Sequence, residues 1–180
     1  MPGVRVIIKF RPMNKVEAGN AAEDNSKTQM IIQHEKNTIV VGGKDMVFDR
    51  VLDPQTTQEG SFEAIGQEVC EELLNGFNST IFVYGQTGAG KTYTMYGDDG
   101  STGDTPVEKL GMIPRCTSFL FEKIEAMKDP ASAKQLLDWK MAVSFVEIYN
   151  VCILHLSRSS VQCLRSLSRI IGFIIFFRKN

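Results

Sequence analysis

The chain has 180 residues, enough for one domain with a sizeable core, and its 43% hydrophobic and 23% charged residues are the proportions of an ordinary globular protein. A net charge of -1 gives no ground for expecting a nucleic-acid or anionic-membrane partner. Four cysteines (Cys70, Cys116, Cys152, Cys163) without a C-x-x-C pair make neither a zinc site nor a disulfide framework, and no apolar run nears the roughly 20 residues that cross a bilayer, so a cytosolic protein is expected.

Val4, Val6, Ile8 and Phe10 alternate with Arg5, Ile7 and Lys9 in a strand pattern that Pro12 stops. Residues 14–28 are polar and read as a loop. Met30–Gln33 and Thr38–Val41 predict a hairpin turned by Glu35-Lys36-Asn37, and Gly42-Gly43 leads into a further strand, Val47–Leu52. Thr56-Thr57-Gln58-Glu59 offers a capping box for a helix whose apolar face is Phe62, Ile65, Val69, Leu73 and Leu74, ended by Asn75-Gly76. Thr80–Tyr84 is a continuous apolar run, as expected of a parallel strand covered on both faces. Residues 97–111 read as a flexible surface loop. A second helix is predicted over about 114–128, opened by Pro114, with Leu120, Ile124 and Met127 facing the core. Trp139–Tyr149 reads as a strand. The order is α/β, a central sheet flanked by helices.

Gly85-Gln86-Thr87-Gly88-Ala89-Gly90-Lys91-Thr92 matches G-x-x-x-x-G-K-[ST] at every fixed position, after a predicted strand and before the helix-competent Tyr93-Thr94-Met95. Its glycines let backbone N–H groups wrap an anion, and the following helix adds free N–H groups and a positive dipole end. Lys91 would place a charge on the β- and γ-phosphates, and the Thr92 hydroxyl would bind Mg²⁺. A Gly-rich turn with a surface lysine is the plain alternative, and the loop alone does not separate a motor from a kinase, a GTPase or a transporter ATPase.

The segment Asn78–Met95 closely resembles the P-loop segment of the kinesin motor domain. Four further stretches resemble that family in the same order. They are Lys9-Phe10-Arg11-Pro12 (R-x-R-P), Phe48-Asp49-Arg50-Val51 (F-D-x-V), Gly111-Met112-Ile113-Pro114-Arg115 (G-x-I-P-R) and Phe145-Val146-Glu147-Ile148-Tyr149-Asn150 (F-x-E-I-Y-N). The resemblance implies a P-loop NTPase fold, ATP with Mg²⁺, hydrolysis coupled to movement on microtubules, and a cytoplasmic, cytoskeletal location. It places Lys9, Arg11 and Pro12 around the adenine, with Tyr93 stacking on its face. The motif run stops near Asn150, so residues 1–150 are read as part of a motor domain and 151–180 as a divergent tail. That tail carries Arg158, Arg165, Arg169, Arg178 and Lys179 without any acid. The switch motifs N-x-x-S-S-R-S-H and D-x-x-G do not occur in the 180 residues, and poor turnover by this polypeptide is expected.

Other residues invite weaker readings. Glu147 at a strand end imitates a Walker B carboxylate, which would suit an unrelated P-loop kinase, but its flanks fit the family strand. His34 and His155 stand alone, and Asp98, Asp99 and Asp104 lack the spacing of a calcium loop. Two other functions remain beside the motor: a non-motor ATP-binding fragment without turnover, and that kinase.

Overall fold

The computed structural model describes residues 3–15, 17–19, 30–98 and 105–127, with the backbone of three strands at 140–149, 152–156 and 172–178. Trp139, Asp99 and Asp104 lie outside the described residues. The chain divides into two compact units, Met1–Thr57 with Gln86–Gly90, and Gln58–Gly85 with Lys91–Asn180.

The first unit is mainly sheet. Strand β1 (Ile7–Lys9) pairs in parallel with β5 (Arg50–Leu52), Ile8 opposite Val51. Backbone bonds extend the pair at both ends, Asp49 N–H to Val6 O and Phe10 N–H to Leu52 O, and the Asp49 carboxylate takes the Val6 N–H at 2.7 Å. The expected hairpin is present as β2 (Met30–Gln33) and β3 (Thr38–Val41), antiparallel, and β4 (Lys44–Val47) adds a third strand. Gly42 and Gly43 both have positive φ, 56° and 74°, the geometry that two-residue hairpin turns require.

One strand was expected over Val47–Leu52; two are found. The chain leaves β4 at Phe48-Asp49 and changes partner, because Asn37 intervenes. In the left-handed region at φ 48, Asn37 accepts the Phe48 N–H on its carbonyl (3.0 Å) and the Val51 N–H on Oδ1 (3.3 Å). An asparagine tolerates that backbone and can bond with its own side chain.

The second unit is built on helices. The predicted first helix forms in three parts, α1 (Gln58–Ser61), a π turn (Phe62–Gly66) and α2 (Gln67–Leu74). Its expected capping box is not made. The Thr56 hydroxyl donates to Asp53 Oδ1, which also accepts the Gln55 N–H, forming an aspartate turn ahead of the helix. Gly76, at φ 92, ends α2 with its N–H on Leu73 O, as anticipated.

Helix α3 (Lys91–Tyr96) follows, and α4 (Met112–Met127) begins two residues earlier than Pro114 suggested. Residues 97–111 were expected to be flexible, but their described part is pinned. Gly97 bridges Leu110, the Gly111 N–H reaches Tyr96 O, and Lys109 Nζ donates to Asp98 Oδ2 at 2.9 Å.

Cys70 and Leu73 of α2 pack against Met112, Cys116 and Leu120 of α4, with Phe62, Ile65, Ile81, Met95 and Phe119 around them. The Cys70 thiol lies 3.9 Å from the Cys116 carbonyl oxygen, and its hydrogen bond with the Cys116 thiol, together with burial, pushes the latter's pKa up.

Strand β6 (Lys140–Tyr149) pairs antiparallel with β7 (Cys152–Leu156) on one side and β8 (Gly172–Arg178) on the other. Two stretches of the presumed tail thus extend a sheet begun by the last matching motif. Glu147 lies opposite Leu154, and His155 opposite Val146.

The class is α/β, as expected, with parallel and antiparallel pairing. The strand expected at Thr80–Tyr84 is a correction. Among the described residues no ladder bond reaches it. Ile81 and Val83 are half-buried, whereas Phe82 and Tyr84 are 75% and 89% exposed. The extended backbone therefore covers one face against the helical core, but a strand needs neighbours, which its own residues do not supply.

Leu120 is fully buried at the α2–α4 contact. Leu120→Ala should destabilise the chain by about 2–5 kcal/mol through lost transfer energy and the cavity left behind. Chemical denaturation checks this, and a midpoint equal to that of the parent chain would contradict the core assignment.

Candidate functional site

A loop of small residues has few side chains with which to fix its own peptide planes. In the first unit, Gln86–Ala89 closes a turn with the Ala89 N–H on the Gln86 carbonyl at 3.1 Å. Gly88 and Gly90 have φ of 79° and 94°, values that L side chains disfavour. A Cβ at Gly88 would meet nothing within 4 Å, so the backbone angle, not crowding, asks for glycine there.

Arg11 holds this turn from outside. Its Nε donates to Gly88 O at 2.7 Å, and Nη1 donates to Pro12 O at 2.9 Å and to Glu17 Oε2 at 2.8 Å. Nη2 donates to the second Glu17 oxygen, Oε1. Glu17 is fixed in turn, because its Oε2 accepts the Asn14 N–H and its own N–H donates to Asn14 Oδ1. This is a reciprocal cap at the start of a short helical turn, in residues expected to be loop. The Arg11 hydrogen bond, followed by the Asn14 N–H, lowers the Glu17 pKa to about 2.

Lys9 precedes this group on β1. Among the described residues its Nζ is buried without a hydrogen-bond partner, and that burial lowers its pKa. A desolvated, unpaired ammonium is costly, and an acceptor from a ligand would relieve it.

In the second unit, Lys91 Nζ donates to Gly85 O at 2.7 Å. Thr92 and Tyr93 are exposed on α3. The Tyr93 carbonyl is anchored by Gln58 Nε2 at 2.7 Å and by the Gly97 N–H at 2.8 Å. Gln58 is 4% exposed, and among the described residues its Oε1 has no partner.

The predicted site residues are thus divided. Lys9, Arg11, Pro12, Gln86, Thr87, Gly88, Ala89 and Gly90 belong to the first unit, and Gly85, Lys91, Thr92 and Tyr93 to the second. Arg11 touches the loop directly. Two contributors escaped the sequence reading. Glu17 carried a signal, since Asn14-x-x-Glu17 is a capping-box spacing; Gln58 carried none. His34 is a surface residue with Nε2 3.8 Å from Asp53 Oδ2. Among the described residues no cluster of His, Cys, Asp and Glu could hold a metal ion.

The family model of the kinesin motor domain matches residues 9–168, which runs past Asn150. Kinesin-like protein KIN-12B of Oryza sativa subsp. japonica is 38% identical over 149 residues, covering 82% of this chain and 13% of the relative. The kinesin heavy chain of Caenorhabditis elegans is 37% identical over 148 residues, covering 82% and 16%. This chain therefore spans a small part of the curated relatives it matches. Among solved structures, the Drosophila kinesin family member Kin10/NOD in complex with manganese and ADP superimposes with a TM-score of 0.68 at 26% identity, over 87% of this chain and 48% of the other. A fast kinesin superimposes with 0.68 at 28%, over 98% and 49%.

The Arg11–Glu17 pair sets a pH dependence. Because the carboxyl pKa is depressed on folding, the pair's contribution is complete above the ordinary carboxylate value near 4.5 and is lost as pH falls through about 2. The Glu17 carboxyl carbon should titrate by NMR with a midpoint near 2, returning towards 4.5 in Arg11→Ala. A midpoint near 4.5 in the parent chain would show that the ion pair does not persist in solution.

Proposed function

This chain belongs to the kinesin motor domain family, and from that membership we propose that it binds Mg·ATP through Gly85–Thr92 as the nucleotide-binding part of a microtubule motor. The alternative of an unrelated P-loop kinase falls away with the membership. The observation that carries the reading is the complete phosphate-loop sequence, with Gly88 and Gly90 in left-handed geometry and helix α3 beginning at Lys91.

The roles follow from the chemistry of each group. Backbone N–H groups of the loop take phosphate oxygens. The Lys91 ammonium, now on the Gly85 carbonyl, is close enough to the loop to exchange that acceptor for a phosphate. The Thr92 hydroxyl, exposed at the start of α3, is free to join a metal's oxygen shell. Bound Mg²⁺ would neutralise phosphate charge. The buried Lys9 ammonium finds an acceptor on the base or ribose, Pro12 and Tyr93 cover the ring faces, and Arg11 joins the site through the loop carbonyl it holds. Manganese and ADP in the Drosophila relative support a nucleotide with a divalent ion. Coupling to microtubules, in the cytoplasmic cytoskeleton, is proposed for the longer protein of which such a domain is part. A Drosophila relative docked into a map of its microtubule complex supports that reading.

Lys91→Ala should weaken Mg·ATP binding at least tenfold by calorimetry, because it removes the loop's only side-chain cation. Equal affinity in both proteins would end the assignment.

The residues of this polypeptide do not include the family's switch motifs. Phosphoryl transfer needs groups that position water and stabilise charge on the γ-phosphoryl oxygens. In a steady-state assay, residues 1–180 alone should therefore turn over ATP slowly, at a rate that microtubules leave unchanged. Robust microtubule stimulation would mean that local residues replace the switches.

A further inference from the structure

Arg11 is engaged on three sides before any ligand is considered. It makes four hydrogen bonds, one to the phosphate loop, one to Pro12 and two to Glu17. The Glu17 carboxylate also accepts the Asn14 N–H, and the Glu17 backbone N–H donates back to Asn14 Oδ1, so the residue is held at both groups. We propose that Glu17 is a positioning residue for nucleotide binding, acting through Arg11 on the peptide plane between Gly88 and Ala89. This rests on the reading of Gly85–Thr92 as a phosphate site.

The argument is geometric. A trans peptide is planar, so its C=O and N–H point in opposite directions. Arg11 Nε fixes the Gly88 C=O at 2.7 Å, and the opposite end of the same plane, the Ala89 N–H, is fixed on Gln86 O at 3.1 Å. Gly88 sits in open space at φ 79, with no side chain to restrict it. Without Arg11 that plane keeps a single restraint, the Ala89 N–H on Gln86 O, and the loop holds its arrangement of N–H groups less firmly for an anion. The guanidinium could turn away as easily as towards the loop; the bidentate contact with Glu17 selects one orientation, as planar forks do.

In this account Glu17 reaches the phosphates through preorganisation and does not reach the base. Its loss should therefore weaken every ligand that uses the loop by the same factor, whatever base that ligand carries. A residue that merely held the fold would instead lower stability and affect affinity only as folding failed. Glu17 is on the surface, with its side chain 42% exposed, so Glu17→Gln keeps the shape and leaves the core intact.

The experiment uses the full chain, its Glu17→Gln, Arg11→Lys and double variants, and Lys91→Ala. Mg·ATP and Mg·tripolyphosphate each displace a fluorescent adenine nucleotide, and unfolding midpoints are recorded without ligand. Glu17→Gln should weaken both ligands about tenfold, the effect of losing one charge-assisted bond. The double variant should be no weaker than Arg11→Lys alone, because Glu17 acts through Arg11. Unequal loss for the two ligands, additive effects in the double variant, or a change under twofold would overturn the proposal. Loss in Lys91→Ala without loss in Glu17→Gln leaves the phosphate-site reading standing and removes this one. No loss in Lys91→Ala removes both.

Discussion

A phosphate-binding loop must present bare peptide groups to an anion, and bare peptide groups have nothing of their own to hold them. Glycine makes the required angles possible at Gly88 and Gly90, but the same freedom lets them wander. The restraint comes from a charged side chain 77 residues earlier in the chain, whose Nε sits on the Gly88 carbonyl. Everything in the first unit that bears on the site follows from placing that guanidinium. The parallel pairing of β1 with β5 fixes the strand that delivers it, and the Asn14–Glu17 cap fixes the carboxylate that orients it.

The second unit meets a related need by different means. Helix α3 is only six residues long, too short to be stable alone, and it carries Lys91, Thr92 and Tyr93. It is held by its surroundings. Met95 packs on the Cys70–Leu120 core, Gln58 and Gly97 share the Tyr93 carbonyl, and the Gly111 N–H takes the Tyr96 carbonyl. Gly97 and Gly111 approach so closely that a Cβ on either would fall within 2.1–2.7 Å of backbone atoms. Here glycine serves close approach of two chain segments, whereas at Gly88 it serves a dihedral angle.

The exposed run Thr80–Tyr84 shows what a local pattern leaves open. Its residues prefer extended backbone, and Ile81 does find the helical core. Its ladder depends on partners elsewhere, and an extended edge with exposed Phe82 and Tyr84 is the kind that proteins usually cover. The segments 152–156 and 172–178, whose composition breaks from what precedes them, nonetheless form strands, both on β6.

By itself the sequence determined the features that depend on residue identity at fixed spacing. The phosphate loop, the ordered motifs, the β2–β3 hairpin, the glycine stop at Gly76 and the burial of Leu120 and Ile124, with Met127 half-buried, are all local, set by dihedral preference and by periodicities of two and 3.6. Tertiary structure alone decided which groups meet. The change of partner at Phe48-Asp49 depends on Asn37, which bonds directly to the Phe48 N–H and, across 14 residues of chain, to the Val51 N–H. Thr56 lies two residues before the helix start at Gln58, and its hydroxyl donates to Asp53. Arg11 came to Gly88, and Gln58 to Tyr93, over separations of 77 and 35 residues, where no spacing rule operates. Hydrogen bonds between distant residues are chosen by the path of the backbone between them, and that path belongs to the whole fold.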